Sequence, residues 1–217
     1  MTIDPATRTE GAGDPATASV RAANPAPRRA IFLVSHSTPG GAQEIWANLA
    51  EGLRLRGHAV MLAALYPGDT AQDTSSHTPW NYALERRPSS LGAKLTMAHR
   101  LARLFDSFEA DVVFTALPAA NVMAPIAALL AQRPVRVVTS HHTPSNTYNP
   151  ALNLLDGLTG SLGPVARIVG VSETVQRSHA GKPAAYRAKL LTIKNALPLE
   201  VEAQIAGLAG RRRRDRA

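Results

Sequence analysis

Residues 30–44 read Ala30-Ile31-Phe32-Leu33-Val34-Ser35-His36-Ser37-Thr38-Pro39-Gly40-Gly41-Ala42-Gln43-Glu44. Five apolar residues in a row, closed by serine, threonine, proline and glycine, read as a buried strand ending in a turn. Residues 42–56 then place Ile45, Trp46, Leu49 and Leu53 at helical spacing, with Glu44, Glu51, Arg54 and Arg56 on the other side. That pattern is an amphipathic helix, stopped by Gly57. The glycines at the turn have two readings. A helix N-terminus offers unpaired N–H groups and the positive end of the peptide dipoles, worth about 0.3–1 kcal/mol toward an exposed anion. The simpler reading is a tight turn that needs positive φ.

The same alternation continues along the chain. Residues 31–35, 58–65, 111–115, 135–140, 167–171 and 189–193 read as six strands. Helical patterns lie between them at 91–108, 121–132, 150–162 and 173–179, while the Pro-punctuated stretch 67–90 reads as an irregular excursion. In 91–108, Leu91, Leu95, Ala98, Leu101, Ala102 and Phe105 share one face, opposite Thr96, His99, Arg100 and Arg103. Strands alternating with helices predict an α/β fold: a Rossmann-like, doubly wound parallel sheet covered on both faces. Ligands of such sheets sit at the C-terminal ends of the strands, which singles out the loops at 36–43, 66–90, 116–121, 141–149 and 172–174.

Composition narrows the classes. The chain has 217 residues, 45% of them hydrophobic and 18% charged, as in ordinary soluble domains. It contains no cysteine, which removes thiol nucleophiles, disulfides and cysteine zinc sites and suits a reducing, cytoplasmic setting. Its longest near-apolar run, 119–131, is broken by Asn121 and Pro125 and is too short to span a bilayer. Residues 1–29 have the composition of a disordered tail, with no signal-peptide core. Residues 201–217 read as a basic tail or the start of a linker helix. Residues 211–216 hold five arginines and one aspartate, so +4 of the formal +8 charge sits there. Without aromatic interleaving or a recognition motif, this run reads as a solvated helix end and not as a nucleic-acid site. The basic face of 91–108 raises peripheral contact with anionic lipid at the inner face of the membrane as a further expectation, against the plainer reading of a solvated face.

Three motifs carry chemistry. Neither G-x-G-x-x-G nor G-x-x-x-x-G-K-[ST] occurs, so Gly40 and Gly41 do not belong to either common nucleotide loop. His141 and His142 follow one another at a strand end, so only one can face the crevice, where an imidazole can hydrogen-bond a phosphate or hydroxyl or shuttle a proton. No metal-ligand spacing accompanies them. Gly170-Val171-Ser172-Glu173-Thr174 has threonine where a nucleophile elbow needs glycine, so Ser172 reads as a helix cap.

Taken in order, several motifs resemble the N-terminal domain of glycosyltransferase family 4, retaining enzymes of GT-B architecture. They are Pro39-Gly40-Gly41-Ala42-Gln43-Glu44, Leu49-Ala50-Glu51-Gly52-Leu53, Arg56-Gly57-His58-Ala59-Val60, Asp111-Val112-Val113, His141-His142-Thr143, Val169-Gly170-Val171-Ser172-Glu173 and Ile193-Lys194-Asn195. The domain so defined is 30–200, and within the family the first and fifth motifs look like the phosphatidylinositol mannosyltransferase type. Ala196 stands where the family often has glycine. The resemblance implies that Gly40 and Gly41 approach the diphosphate of a nucleotide-sugar co-substrate. It also implies that His142 assists transfer beside the reacting sugar, and that His36, Gln43 and Thr143 meet a sugar, lipid or small-molecule acceptor. No Asp-x-Asp motif is present, so no metal and no resident cofactor are expected. Family members add a second Rossmann-like half with a Glu-x7-Glu motif, and no two glutamates here have seven residues between them. The expectation is an acceptor-side half, from a truncated gene or a two-chain enzyme, with little activity alone. The alternative is a non-catalytic α/β module that binds a sugar or a partner.

Overall fold

The computed structural model describes residues 26–68 and 80–194. Most of the predicted tail, residues 195–200 of the predicted domain and the basic stretch 201–217 therefore lie outside the described residues. Strand β1 (Arg29–His36) leads through helix α1 (Gly41–Leu55) to β2 (Ala59–Tyr66) and a short β3 (Asn81–Tyr82). Helix α2 (Leu91–Ser107), β4 (Val112–Ala116), α3 (Pro118–Leu130), β5 (Arg136–His141) and α4 (Pro150–Gly160) follow. The described chain closes with β6 (Val165–Gly170), α5 (Glu173–Ser178), α6 (Ala184–Arg187) and β7 (Leu190–Thr192).

All pairings are parallel, in the order β3-β2-β1-β4-β5-β6-β7. Strand side chains alternate between two cores. Ile31, Leu33, Val113, Val137 and Ile168 pack with α2, α3 and Tyr186 of α6. Phe32, Val34, Leu62 and Ala64 pack with Ala42, Trp46 and Ala50 of α1. Chain connections leave β1 and β4 toward opposite faces, so a crevice opens between their C-terminal ends, the usual ligand position in such sheets.

Three expectations need correction. The excursion at 67–90 contributes a seventh strand, because Trp80 and Ala83 are buried and the Asn81 amide donates to the Leu62 carbonyl at 3.1 Å, pinning two residues to the edge of β2. In α2 the buried stripe is Met97, Ala98, Leu101, Ala102 and Phe105, whereas Leu91 and Leu95 are 73% and 63% exposed. The first turns of α2 lie outside the packed core, so periodicity alone overstates its apolar face. Helix α3 also starts earlier than 121, at Pro118, whose fixed φ suits a first helical position.

Candidate functional site

The crevice holds an open cavity of about 380 Å³ lined by the turn from Thr38 to Gln43 with His36, Ile45, Leu117 and His142. Five of the six residues singled out from sequence (His36, Gly40, Gly41, Gln43 and His142) line this one space. Thr143 does not line it; it is exposed, and its carbonyl accepts the Tyr148 hydroxyl at 3.3 Å. A second cavity, about 390 Å³ and lined by residues 84–89, Ala93 and Arg100, lies beside the start of α2, away from the strand ends that frame the first.

The glycine turn does not need positive φ. Gly40 has φ 177° and ψ 167°, extended backbone, and among the described glycines only Gly57 has positive φ, at 82°. What glycine provides here is space. A Cβ on Gly40 would stand 3.1 Å from Gln43 Oε1, and one on Gly41 would meet nothing within 4 Å. The α1 N-terminus has no side-chain cap, and its first helical bond runs from the Glu44 amide to the Gly40 carbonyl at 3.0 Å. The amides of Gly41, Ala42 and Gln43 precede that bond and form the positive end of the helix beside the cavity. Gln43 is buried, and its amide donates to the His36 carbonyl at 3.1 Å, tying the strand end to the helix start. Ser37 braces the other side of the turn, its hydroxyl accepting from the Gly68 amide at 3.2 Å and from the Tyr82 hydroxyl at 3.1 Å.

The adjacent histidines divide as strand alternation requires. His141, with Val137 and Thr139, is buried on the α3 side of β5. His142 lies on the α1 side, where its ring meets Trp46 edge-on at 6.0 Å and its Nε2 is 3.2 Å from Ser140 Oγ. Burial lowers the His142 pKa below 6.5, so the ring is neutral at neutral pH and can donate from one nitrogen while accepting at the other.

Sequence reasoning missed two contributors. Leu117 lines the cavity in the left-handed region, φ 75°, a conformation uncommon outside glycine. Nothing in its local sequence signals that. Trp46, read as core only, also walls the position of His142; its place on the inward face of α1, five residues after Gly41, was the available signal. Ser172 caps α5, accepting from the Val175 amide at 3.2 Å, in line with the capping reading.

A single α/β sheet with a glycine-bearing turn and a neutral histidine at its switch point defines a class of ligand-binding Rossmann-like domains. The family model for Glycosyltransferase Family 4 matches residues 39–201, and the chain belongs to that family. Solved structures share the fold. Lipopolysaccharide outer core galactosyltransferase WaaB is 9% identical at TM-score 0.64, with 77% of this chain and 46% of that one covered. HepE from Anabaena, solved with UDP and glucose, is 17% identical at TM-score 0.62, with 80% and 46% covered. A solved chain of sucrose-phosphate synthase from Thermosynechococcus elongatus is 12% identical at TM-score 0.53, with 84% and 98% covered. The chain thus spans about half the length of WaaB and HepE. A search of curated proteins finds no significant match.

Proposed function

We propose that this chain forms the acceptor-side wall of a sugar-transfer cleft in a retaining, nucleotide-sugar-dependent glycosyltransferase, and that it transfers little or no sugar alone. The observation that carries this reading is the convergence of the uncapped α1 N-terminus, Gly41 and His142 on one cavity at the sheet's switch point. Gly41 presents no Cβ there, so diphosphate oxygens can come close to the helix amides. His142, held by Trp46 and Ser140, supplies a neutral imidazole that hydrogen-bonds a sugar hydroxyl or the departing oxygen. His36 and Gln43, which line the same cavity, meet the acceptor, while Thr143 stands outside it. HepE, which shares the fold, was solved with UDP-glucose, the kind of donor this reading requires.

Charge explains the inactivity. A leaving diphosphate must be stabilised by donors aimed at it from both sides of a dry cleft. The partial charge of one helix end is a small part of that. The remaining donors belong to a second domain, in the same polypeptide or in another chain. The purified chain, offered UDP-glucose and other labelled nucleotide-sugars with sugar and lipid acceptors, is expected to give no product. Robust transfer overturns this reading.

Lipid contact is part of the same reading. Leu91 and Leu95 stand exposed with Lys94 on the first turns of α2, near Arg86 and Arg87. Among the described residues no helix is long and apolar enough to cross a membrane. Co-sedimentation with anionic phospholipid vesicles, lost in Leu91→Ser/Leu95→Ser, is expected; equal sedimentation of the double variant contradicts it.

A further inference from the structure

On the opposite face of β5 from His142 lies a buried polar cluster that sugar transfer does not use. The Tyr186 hydroxyl is 3.1 Å from His141 Nε2, 3.0 Å from Asp156 Oδ2 and 3.0 Å from His179 Nδ1. Lys182 Nζ is 2.9 Å from Asp156 Oδ2 and donates to Asn153 Oδ1 at 2.6 Å and to the Asn153 carbonyl. The other nitrogen of His141, Nδ1, is 3.0 Å from the Tyr148 hydroxyl and 3.4 Å from the Asn121 amide. Asn121 extends the chain, its amide donating to the Ser140 carbonyl at 2.9 Å and its oxygen accepting from Thr115 at 2.6 Å.

Counting protons fixes the tautomers. A tyrosine hydroxyl has one proton, and a carboxylate can only accept, so Tyr186 donates to Asp156. Both imidazoles must then offer N–H to the tyrosine oxygen: His141 as the Nε2–H form and His179 as the rarer Nδ1–H form. That leaves a lone pair on His141 Nδ1, which accepts from the Asn121 amide at 3.4 Å and faces the Tyr148 hydroxyl at 3.0 Å, whose single proton is shared between this nitrogen and the Thr143 carbonyl at 3.3 Å. Neutral rings agree with burial, which lowers His179 and takes His141 to about 3. His141, Asp156 and His179 also have the donor types and the proximity, within 4.8 Å, of a metal site. The Tyr186 hydroxyl lies between them and the Lys182 ammonium already pairs the carboxylate, so the cluster stands as a hydrogen-bonded anchor in which His179 Nε2 alone is left without a partner among the described residues.

We infer that this anchor, with Tyr186 as its hub, positions His142 in the cleft. Both nitrogens of His141 are held in the core, so the next residue of the chain must emerge on the α1 face, against Trp46. The anchor also reaches the loop after β5. Tyr148, hydrogen-bonded to His141, closes the turn over residues 143–147. Ser145 is tied to Ser178, its amide donating to the Ser178 hydroxyl oxygen at 2.9 Å and its own hydroxyl donating to the Ser178 carbonyl at 2.6 Å. Gly160 makes room for the hub, since a Cβ there would lie 2.5 Å from the Tyr186 ring. Tyr186 is a positioning residue; the inference rests on His142 being the cleft histidine, and its test needs no sugar transfer.

The test is two-bond 1H–15N correlation spectroscopy of the histidine-labelled chain between pH 4.5 and 8 (roughly the window in which free imidazoles titrate). The expected spectra show His179 as Nδ1–H, His141 as Nε2–H and non-titrating, and His142 with a depressed midpoint. Tyr186→Phe keeps the ring but removes the hub. It should release both buried tautomers and move the His142 midpoint toward its ordinary value by about half a unit or more. Tyr148→Phe, which cuts only the loop side, should move it the same way and covers the case in which the first variant does not fold. Leu101→Ala, a remote core truncation, should leave His142 in place. His179 as Nε2–H, His141 titrating near its ordinary value, or a His142 midpoint unmoved in both tyrosine variants overturns the inference. A chain that shows the expected spectra but whose fusion to a donor-binding half transfers no sugar would refute the transferase reading and leave the anchor intact.

Discussion

At the end of β5, one step of strand alternation sends His141 into the core and His142 into the cleft. That division follows from sequence, because adjacent strand residues must point apart. Which histidine goes inward did not follow, because it depends on Tyr186, forty-five positions away, and on Asp156, both brought in by tertiary packing. The inward histidine has a consequence for stability. Burial lowers its pKa from 6.5 to about 3, and lowers His142 and His179 as well. Between those two values the unfolded chain holds the His141 proton and the folded chain does not. Stability is therefore complete above the ordinary histidine range and declines as acid is added, by up to about 1.4 kcal/mol per pH unit for each such histidine. Urea midpoints measured from neutral pH downward should fall before the carboxylates titrate, and His141→Gln should flatten the early part of that slope. A midpoint constant across the histidine range contradicts the buried neutral assignment.

Among the elements, the strands and the longer helices were legible because each has a full apolar pattern to bury. Strand β3 was not: two residues carry no period, and what fixes them is the burial of Trp80 and one amide on Leu62. The glycine turn was legible as a ligand-facing feature, although its expected backbone was wrong, since Gly40 is extended. Gly160 gives an element-scale test of packing between α4 and α6. A Cβ there would come within 2.5 Å of two Tyr186 ring atoms and 3.3 Å of Ile168 Cδ1. Gly160→Ala gains helix propensity, on the order of 0.5–1 kcal/mol, but overpacking a closed core costs about 1–3 kcal/mol. Thermal melts should show a net loss of stability; a higher melting temperature would mean that α6 is not seated as described.

For the whole molecule, the order of motifs identified the family, and the family model, matching residues 39–201, agrees. The fold places five of the six candidate site residues where a doubly wound sheet presents ligands. The motifs shape one wall of one cavity, so the sugar, acceptor and partner half of the proposed reading are not legible in them. On the proposed reading this chain supplies one wall of a cleft, and His142 acts only when the opposite wall is present. The direct measurement is incorporation of labelled sugar from a nucleotide-sugar into acceptor by the purified chain, alone and then fused to the donor-binding half of a family 4 relative. No product alone, product from the fusion, and a loss of about 100-fold in that product with His142→Ala is the predicted result, the scale of removing one well-placed hydrogen-bond donor. Robust transfer by the chain alone, or a fusion whose activity survives His142→Ala unchanged, would contradict it.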